Sequence, residues 1–202
     1  YEILRRGDAG YADFLHGEGY ADPATGRRYK PFTFLPLRAR GGRADFVVSS
    51  PLPEFDRAFL AGLESAGALE YLGRPLTVLR VELLPRPALG EFAVLRALAP
   101  VVATRSSLTE GKRYYRGPEP EFGALVRANL LAKYRACAGR EPGPLDLAVV
   151  EGRPGGCRYL GRFIVGGRVQ AVLAGDPDLV RFAYYCGLGE KNSMGFGMAA
   201  AA

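Results

Sequence analysis

Tryptophan is absent from the 202 residues, histidine occurs once as His16, methionine occurs twice, and lysine is scarce beside arginine. A lone histidine excludes any site built on two imidazoles, whether a metal centre or an acid and a base both supplied by histidine. Cysteine is sparse as well. Cys137, Cys157 and Cys186 are odd in number and far apart, which gives neither a disulfide framework nor a zinc-ligand spacing and fits a reducing, cytoplasmic setting. No apolar run reaches the roughly 18 residues that span a bilayer, and no charged start leads into an apolar block with a cleavage site, so neither a membrane partner nor export is expected. The carboxylates, among them Asp45, Glu54, Asp56, Glu82, Glu110 and Glu119, are scattered without a repeated DxD, ExK or HD pairing, which argues against a two-metal site. Neither a metal nor an organic cofactor is expected.

What remains is a chain with 48% hydrophobic residues, enough for one large core or two small α/β units. Its 27 Lys and Arg outnumber 21 Asp and Glu, a formal charge of +6 that favours a polyanionic partner without proving one. The abundance of Gly, Pro and Arg matches the codon usage of a GC-rich genome and says nothing about chemistry.

Along the chain, Tyr1 to Arg6 reads as the end of a helix. Asp8 can cap a second short helix ending at His16, followed by a loop rich in Gly, Pro and Arg up to Lys30. Phe32 and Phe34, then Ala44, Phe46 and Val48, alternate about Gly41-Gly42 and predict a hairpin. Phe55, Phe59, Leu63 and Ala66 recur at helical spacing behind Pro53, and Leu76 to Leu84 alternates as a strand does. The Pro/Gly-rich link Pro85 to Gly90 separates two candidate domains, 1–86 and 91–202. Beyond it come a strand-like Phe92 to Thr104, an irregular charged segment Arg105 to Glu119, and an amphipathic helix from about Pro120 to Ala138. Strand-like Leu145 to Val150, Arg158 to Val165 and Arg168 to Ala174 lead to Asp176-Pro177, the start of a helix that Gly187 stops. The fold class is α+β. Each half suggests a split βαβ, ferredoxin-like arrangement with antiparallel strands, two in tandem, the first apparently lacking its opening strand because the chain begins inside a helix.

Gly187, Gly189, Gly195 and Gly197 frame a loop that also carries Lys191, Asn192 and Ser193. Glycine lets backbone amides approach a phosphate, while the lysine adds charge and the two polar side chains add hydrogen bonds. A dinucleotide fingerprint or a P-loop needs a strand before the glycines and a helix after them, the reverse of the order here. As a bare glycine-rich loop it could equally be a connector. The whole string, however, closely resembles the C-terminal signature of the CRISPR repeat-processing endoribonucleases, the Cas-six type of the repeat-associated RNA-binding superfamily. Leu15-His16-Gly17-Glu18-Gly19-Tyr20, Lys30-Pro31-Phe32-Thr33-Phe34 and Asn129-Leu130-Leu131-Ala132-Lys133-Tyr134 resemble it in the same order.

That resemblance implies two tandem ferredoxin-like folds that bind a CRISPR repeat RNA, often a stem-loop, and cut it once per repeat without metal. It implies a catalytic set of His16 as general acid or base, Tyr1 as the group that orients the 2′-hydroxyl or phosphate, and Lys30 as the cation for the transition state, with Arg28 in reserve. The glycine-rich loop would bind RNA. Arg127, Lys133 and Arg135 on the helix, Arg158 and Arg162 on one face of a strand, and Lys112, Arg113 and Arg116 would extend a basic track. Pairing with a second copy and docking on a CRISPR effector complex are both compatible with this. Two other readings stay open: a non-catalytic guide-RNA-binding subunit of the same superfamily, and a ferredoxin-like domain whose loop binds a phosphorylated metabolite.

Overall fold

The computed structural model describes residues 1–65, 68–71, 74–107, 109, 111–159 and 161–202; Ala66 and Glu110 lie outside them. The chain opens with two short helices, α1 (Glu2–Gly7) and α2 (Ala9–Gly17), separated by the extended residue Asp8. Asp8 caps α2 as its sequence predicts, its side chain accepting from Tyr11 N at 2.9 Å. Strands β1 (Tyr20–Ala21) and β2 (Arg28–Tyr29) pair across the loop that follows, and β3 (Thr33–Arg40) pairs with β4 (Arg43–Ser49). Gly41 and Gly42, at φ of +59° and +74°, form the two-residue turn of that hairpin, which needs positive φ at both positions.

Helix α3 (Pro53–Glu64) closes this half by crossing α1 at a point where both helices carry glycine. A Cβ on Gly7 would fall 1.9 Å from Ala58 O, and one on Gly62 would fall 1.8 Å from Ile3 O, so the two backbones meet without room for a side chain. Leu4, Ala12, Leu15, Phe32, Phe55 and Ala58 form the small core beneath. Strands β5 (Leu69–Tyr71) and β6 (Arg74–Leu76) pair with each other.

The expected strand from Leu76 to Leu84 is present only to Leu76. Residues 77–90 carry no regular element, and Leu79 and Leu83 are 74% and 79% exposed. Period-two hydrophobicity makes a strand only where a neighbouring edge takes up its N–H and C=O groups, and no described strand pairs with this stretch.

The second half contains β7 (Phe92–Ala97), β8 (Ala103–Ser107), β9 (Gly111–Tyr115), α4 (Glu121–Ala138), β10 (Leu145–Tyr159), β11 (Arg162–Gly175), α5 (Pro177–Cys186), a single 3₁₀ turn at Asn192–Met194 and β12 (Ala199–Ala201). Four of these strands form one antiparallel sheet in the order β10-β11-β7-β12. That is the strand order of a ferredoxin-like unit, with the β8–β9 hairpin inserted between its first strand and first helix. Helices α4 and α5 cover one face, where Phe122, Val126, Leu130, Leu179 and Ala183 pack on Leu95, Ala171 and Leu173. In the first half the described strands pair only two by two.

Three details differ from the sequence reading. Phe92 to Thr104 is two strands, β7 and β8, and between them Val101 bridges to Gly167 of β11. The charged segment after it is the β8–β9 hairpin rather than irregular chain. Arg158 to Val165 is not one strand: β10 and β11 form a long hairpin that turns beside Gly161, at φ +79°. The glycine pair Gly166-Gly167 stays extended because other chain crosses over it: a Cβ there would meet Val101 O at 2.4 Å or Gly117 Cα at 2.5 Å.

Candidate functional site

Tyr1, His16 and Lys30 come from three separate segments and meet. Tyr1 sits at the start of α1, its carbonyl accepting from Arg5 N at 2.9 Å, and the bend at Asp8 folds α2 back so that the last turn presents His16 to it. The rings of Tyr1 and His16 lie 4.8 Å apart, edge to face at 89°, and Tyr1 also leans on Phe32 at 5.9 Å. Lys30 follows β2; its Nζ donates to the His16 carbonyl oxygen and stands 5.5 Å from the Tyr1 ring centroid. Burial pushes the Tyr1 phenol up to about 12, with Tyr11 and Tyr159 adding smaller effects, so the hydroxyl keeps its proton at neutral pH and can donate. Desolvation lowers the Lys30 ammonium from its ordinary value. The trio therefore offers an imidazole, a neutral phenol and an ammonium within one small region, with His16 exposed.

The glycine-rich loop is built from the inside. Its apolar members Leu188 and Phe196 are fully buried, so the chain between them must turn tightly. Gly187, Gly189, Gly195 and Gly197 have φ of +83°, +67°, +87° and +73°. Cβ atoms would strike Val102 O at 2.4 Å from Gly189 and Leu188 O at 2.0 Å from Gly197. These glycines serve packing and turning first.

Lys133 of α4 is 2% exposed and spends its three N–H bonds on Gly187 O at 2.8 Å, Gly189 O at 3.1 Å and Asn192 Oδ1 at 2.9 Å. Asn192 Nδ2 returns bonds to Leu188 O and Phe196 O, both at 3.1 Å. Thr33 Oγ1 of β3 donates to Phe196 O at 3.0 Å, tying the loop to the first half. Lys133 and Asn192, expected from the sequence as direct contacts, are thus internal braces of the loop. Lys191 and Ser193 stay half-exposed on its outer side.

Between that outer side and the β2 segment lies a cleft of about 360 Å³, walled by Arg27, Arg28, Tyr29 and Lys30 on one flank and by Gly189, Glu190, Lys191, Asn192 and Ser193 on the other, with Lys112, Asn129 and Lys133 between. Lys30 belongs both to this wall and to the His16 cluster. The one carboxylate in the lining, Glu190, accepts from Thr104 Oγ1 at 2.7 and 2.9 Å and lies 3.5 Å from Lys112 Nζ, which ties it to β8 and β9.

Other expected contacts are placed elsewhere. Arg135 binds Asp22, a fully buried carboxylate, at 2.7 and 3.1 Å, and so fixes the loop before β2 onto α4. The Arg135 guanidinium and the Thr25 hydroxyl hold the Asp22 carboxyl far below the usual carboxylate range. Arg127 donates to Leu145 O from an exposed position. Arg158 pairs in register with Phe163 and Arg162 with Tyr159, so the two arginines sit on opposite faces of a ribbon rather than on one face of a strand. Sequence reasoning missed Asp22, Thr104 and Glu190, and gave Asn129 no part beyond its place in the Asn129–Tyr134 motif. Asp22-Pro23 could have been read as a turn former, but nothing local marks its arginine partner 113 residues away. Among the described residues no group of three His, Cys, Asp or Glu side chains is arranged to hold a metal, and no helix is long and apolar enough to cross a membrane.

Residues 85–201 match the family described as CRISPR associated protein Cas6, C-terminal. Over 215 aligned residues the chain is 30% identical to the CRISPR-associated endoribonuclease Cas6 1 of Methanocaldococcus jannaschii, covering 98% of this chain and 81% of that protein. It is 27% identical to the CRISPR-associated endoribonuclease Cas6 of Pyrococcus furiosus, over 76% of this chain and 58% of that one. A solved CRISPR associated protein Cas6 superposes with a TM-score of 0.76 at 28% identity, covering all of this chain and 88% of the other. The fold is shared more widely: a Cas6-related protein from Pyrococcus furiosus superposes at 0.80 with 16% identity, covering 100% of this chain and 87% of its own. With the fold, the ordered motifs and these likenesses in agreement, the chain belongs to the Cas6 family of CRISPR-associated endoribonucleases.

Proposed function

We propose that this chain cuts CRISPR precursor RNA within each repeat, without a metal ion, by attack of a ribose 2′-oxygen on the adjacent phosphorus. The observation that carries this reading is the meeting of Tyr1, His16 and Lys30 beside a cationic cleft that also includes the glycine-rich loop. In the step, the new bond forms between the 2′-oxygen and phosphorus while the bond from phosphorus to the 5′-oxygen breaks. The 2′-hydroxyl loses its proton and the leaving oxygen gains one. His16 serves one of these transfers as acid or base. The protonated Tyr1 hydroxyl orients the 2′-hydroxyl or a phosphate oxygen, and the Lys30 ammonium offsets charge on the phosphorane.

The Gly187–Gly197 loop presents Lys191 and Ser193 to the RNA. Gly187, Gly189, Gly195, Gly197, Asn192 and Lys133 give the loop its shape, Arg135 holds the segment before β2 in place through Asp22, and Arg127, Arg158 and Arg162 contribute charge. The chain divides near 85–91 into two ferredoxin-like units, and the site lies where the first unit meets the loop of the second. The RNA partner is a repeat, read as a stem-loop by shape and phosphates. A cytoplasmic location, a homodimer and membership of an effector complex are consistent with this role.

The test incubates the protein with repeat RNA in EDTA beside His16→Ala. Wild type is expected to cut and to leave a 2′,3′-cyclic phosphate, while the variant binds equally well and cuts about 10²–10⁴-fold more slowly. Equal cutting by the two, or cutting only when magnesium is restored, overturns the mechanism. A 2′-deoxy substitution at the cut position should stop cleavage without weakening binding.

A further inference from the structure

Helix α4 turns two polar residues, one turn apart, toward the interior beside the glycine-rich loop: Asn129 and Lys133, 9% and 2% exposed. The lysine is fully used, as described. Asn129 is not: its Oδ1 is buried and has no hydrogen-bond partner. A buried carbonyl oxygen left unpaired destabilises a fold, so leucine or alanine would serve packing better there. Yet Asn129 lines the cleft between the β2 segment and residues 189–193.

The cleft's remaining chemistry narrows what would satisfy it. Arg27, Arg28, Lys30 and Lys191 supply cations for phosphate oxygens, and Tyr29 supplies an aromatic surface on which a base can stack. Phosphate oxygens only accept, so they cannot partner the unpaired oxygen of Asn129. A base edge can. A side-chain amide offers one acceptor and one donor side by side, and this pair matches the exocyclic amine and neighbouring ring nitrogen of adenine or cytosine, of which the purine stacks over more of the Tyr29 ring. A volume of about 360 Å³ takes a single nucleotide. Because Lys30 both walls the cleft and bonds the His16 carbonyl, that nucleotide neighbours the scissile phosphate.

We infer that the cleft holds one unstacked nucleotide of the repeat next to the cleaved phosphate, and that Asn129 reads its base, an adenine, through the amine. This rests on the RNA reading proposed above. Asn129 is then a residue that selects sequence at a single position, in a protein that otherwise grips shape and charge.

The experiment measures binding of a repeat RNA by His16→Ala and by His16→Ala/Asn129→Ala, using a set of RNAs each carrying one abasic nucleotide. In the His16→Ala protein, one unpaired adenine position should lose about tenfold or more in affinity when made abasic. Replacing that adenine by unsubstituted purine, which lacks the amine, should reproduce the loss. In the double variant both changes should have almost no further effect, and the melting temperature of the double variant should equal or exceed that of His16→Ala. Uniform weakening across all positions, a lowered melting temperature, or coupling to any base other than adenine would each overturn the assignment. Should His16→Ala bind no repeat RNA at all, the RNA reading itself fails, which is a different result from intact binding without coupling to Asn129.

Discussion

Lys191 shows how far a single residue's position is set by something other than its own preference. It is the one non-glycine residue at positive φ among the described residues, at +62°, in a loop where four neighbours with the same sign of φ are glycines. Left-handed backbone at a side chain with a Cβ costs on the order of 1–2 kcal/mol. Lys191→Gly should therefore raise stability by up to about 1 kcal/mol, after the entropy of a freer unfolded chain is subtracted, while weakening RNA binding. Urea denaturation together with a filter-binding titration checks both signs; a loss of stability would mean that the lysine contacts the fold rather than the ligand. Lys133 is the converse. Lys133→Met keeps the aliphatic length but strands the Gly187 and Gly189 carbonyls and Asn192 Oδ1, and should cost about 2–4 kcal/mol in unfolding free energy. The sequence singled out His16 and Lys30 through the motifs that hold them and Tyr1 only as a tyrosine one helix before His16; that the three meet is visible in the fold alone. The burial of Lys133 was not legible in the sequence either, since its acceptors lie 54 to 59 residues away and no local pattern distinguishes a braced lysine from a solvated one.

Between elements, the position of the site depends on two junctions. The first is the α1–α3 crossing, which sets where Tyr1 meets His16. Gly62→Val would drive a side chain into the Ile3 carbonyl, and overpacking of that kind costs about 1–3 kcal/mol. Because α1 would be pushed off α3, cleavage should fall with binding largely kept, a combination that parallel binding and cleavage assays resolve. The second junction is Asp22 on Arg135, which anchors the loop leading into β2 and Lys30. A carboxyl held below its ordinary value stabilises the fold fully above the unfolded pKa near 3.8, and loses that contribution as pH falls through the lower folded value. Asp22→Asn should thus lower the melting temperature at pH 7. The gap to wild type should narrow as pH drops below about 4, and a gap that widened in acid would contradict the ion pair's role. The helices and the β3–β4 hairpin could be read from caps, periodicity and Gly41-Gly42. The β10–β11 ribbon was split in the wrong place, because Gly166-Gly167 looks like a turn in sequence but is glycine for a tertiary reason, the crossing of Val101 and Gly117.

Across the whole molecule, the question is how many cations the RNA engages, and net charge does not answer it. Of the +6 formal charge, much of the basic surface is already matched: Arg5, Arg6, Arg80, Arg113, Arg140 and Arg181 all stand in ion pairs. Of the six cations in the cleft's lining, Lys133 is consumed by the loop and Lys112 faces Glu190 at 3.5 Å, which leaves Arg27, Arg28, Lys30 and Lys191. If each of these four meets one phosphate of a single strand and one arginine of the β10–β11 ribbon meets a fifth, log K against log salt should have a slope of about −3.5, and Lys191→Ala should make it shallower by about 0.7. The far arginines sharpen the test. Arg158 and Arg162 lie on opposite faces of the β10–β11 ribbon, and an RNA that follows one face can reach only one of them. Arg158→Ala and Arg162→Ala should therefore differ, one leaving the slope unchanged and the other reducing it by about 0.7. The double variant should match the more affected single one. Equal effects from both would require the RNA to wrap around the ribbon's edge, and no effect from either would confine it to the cleft.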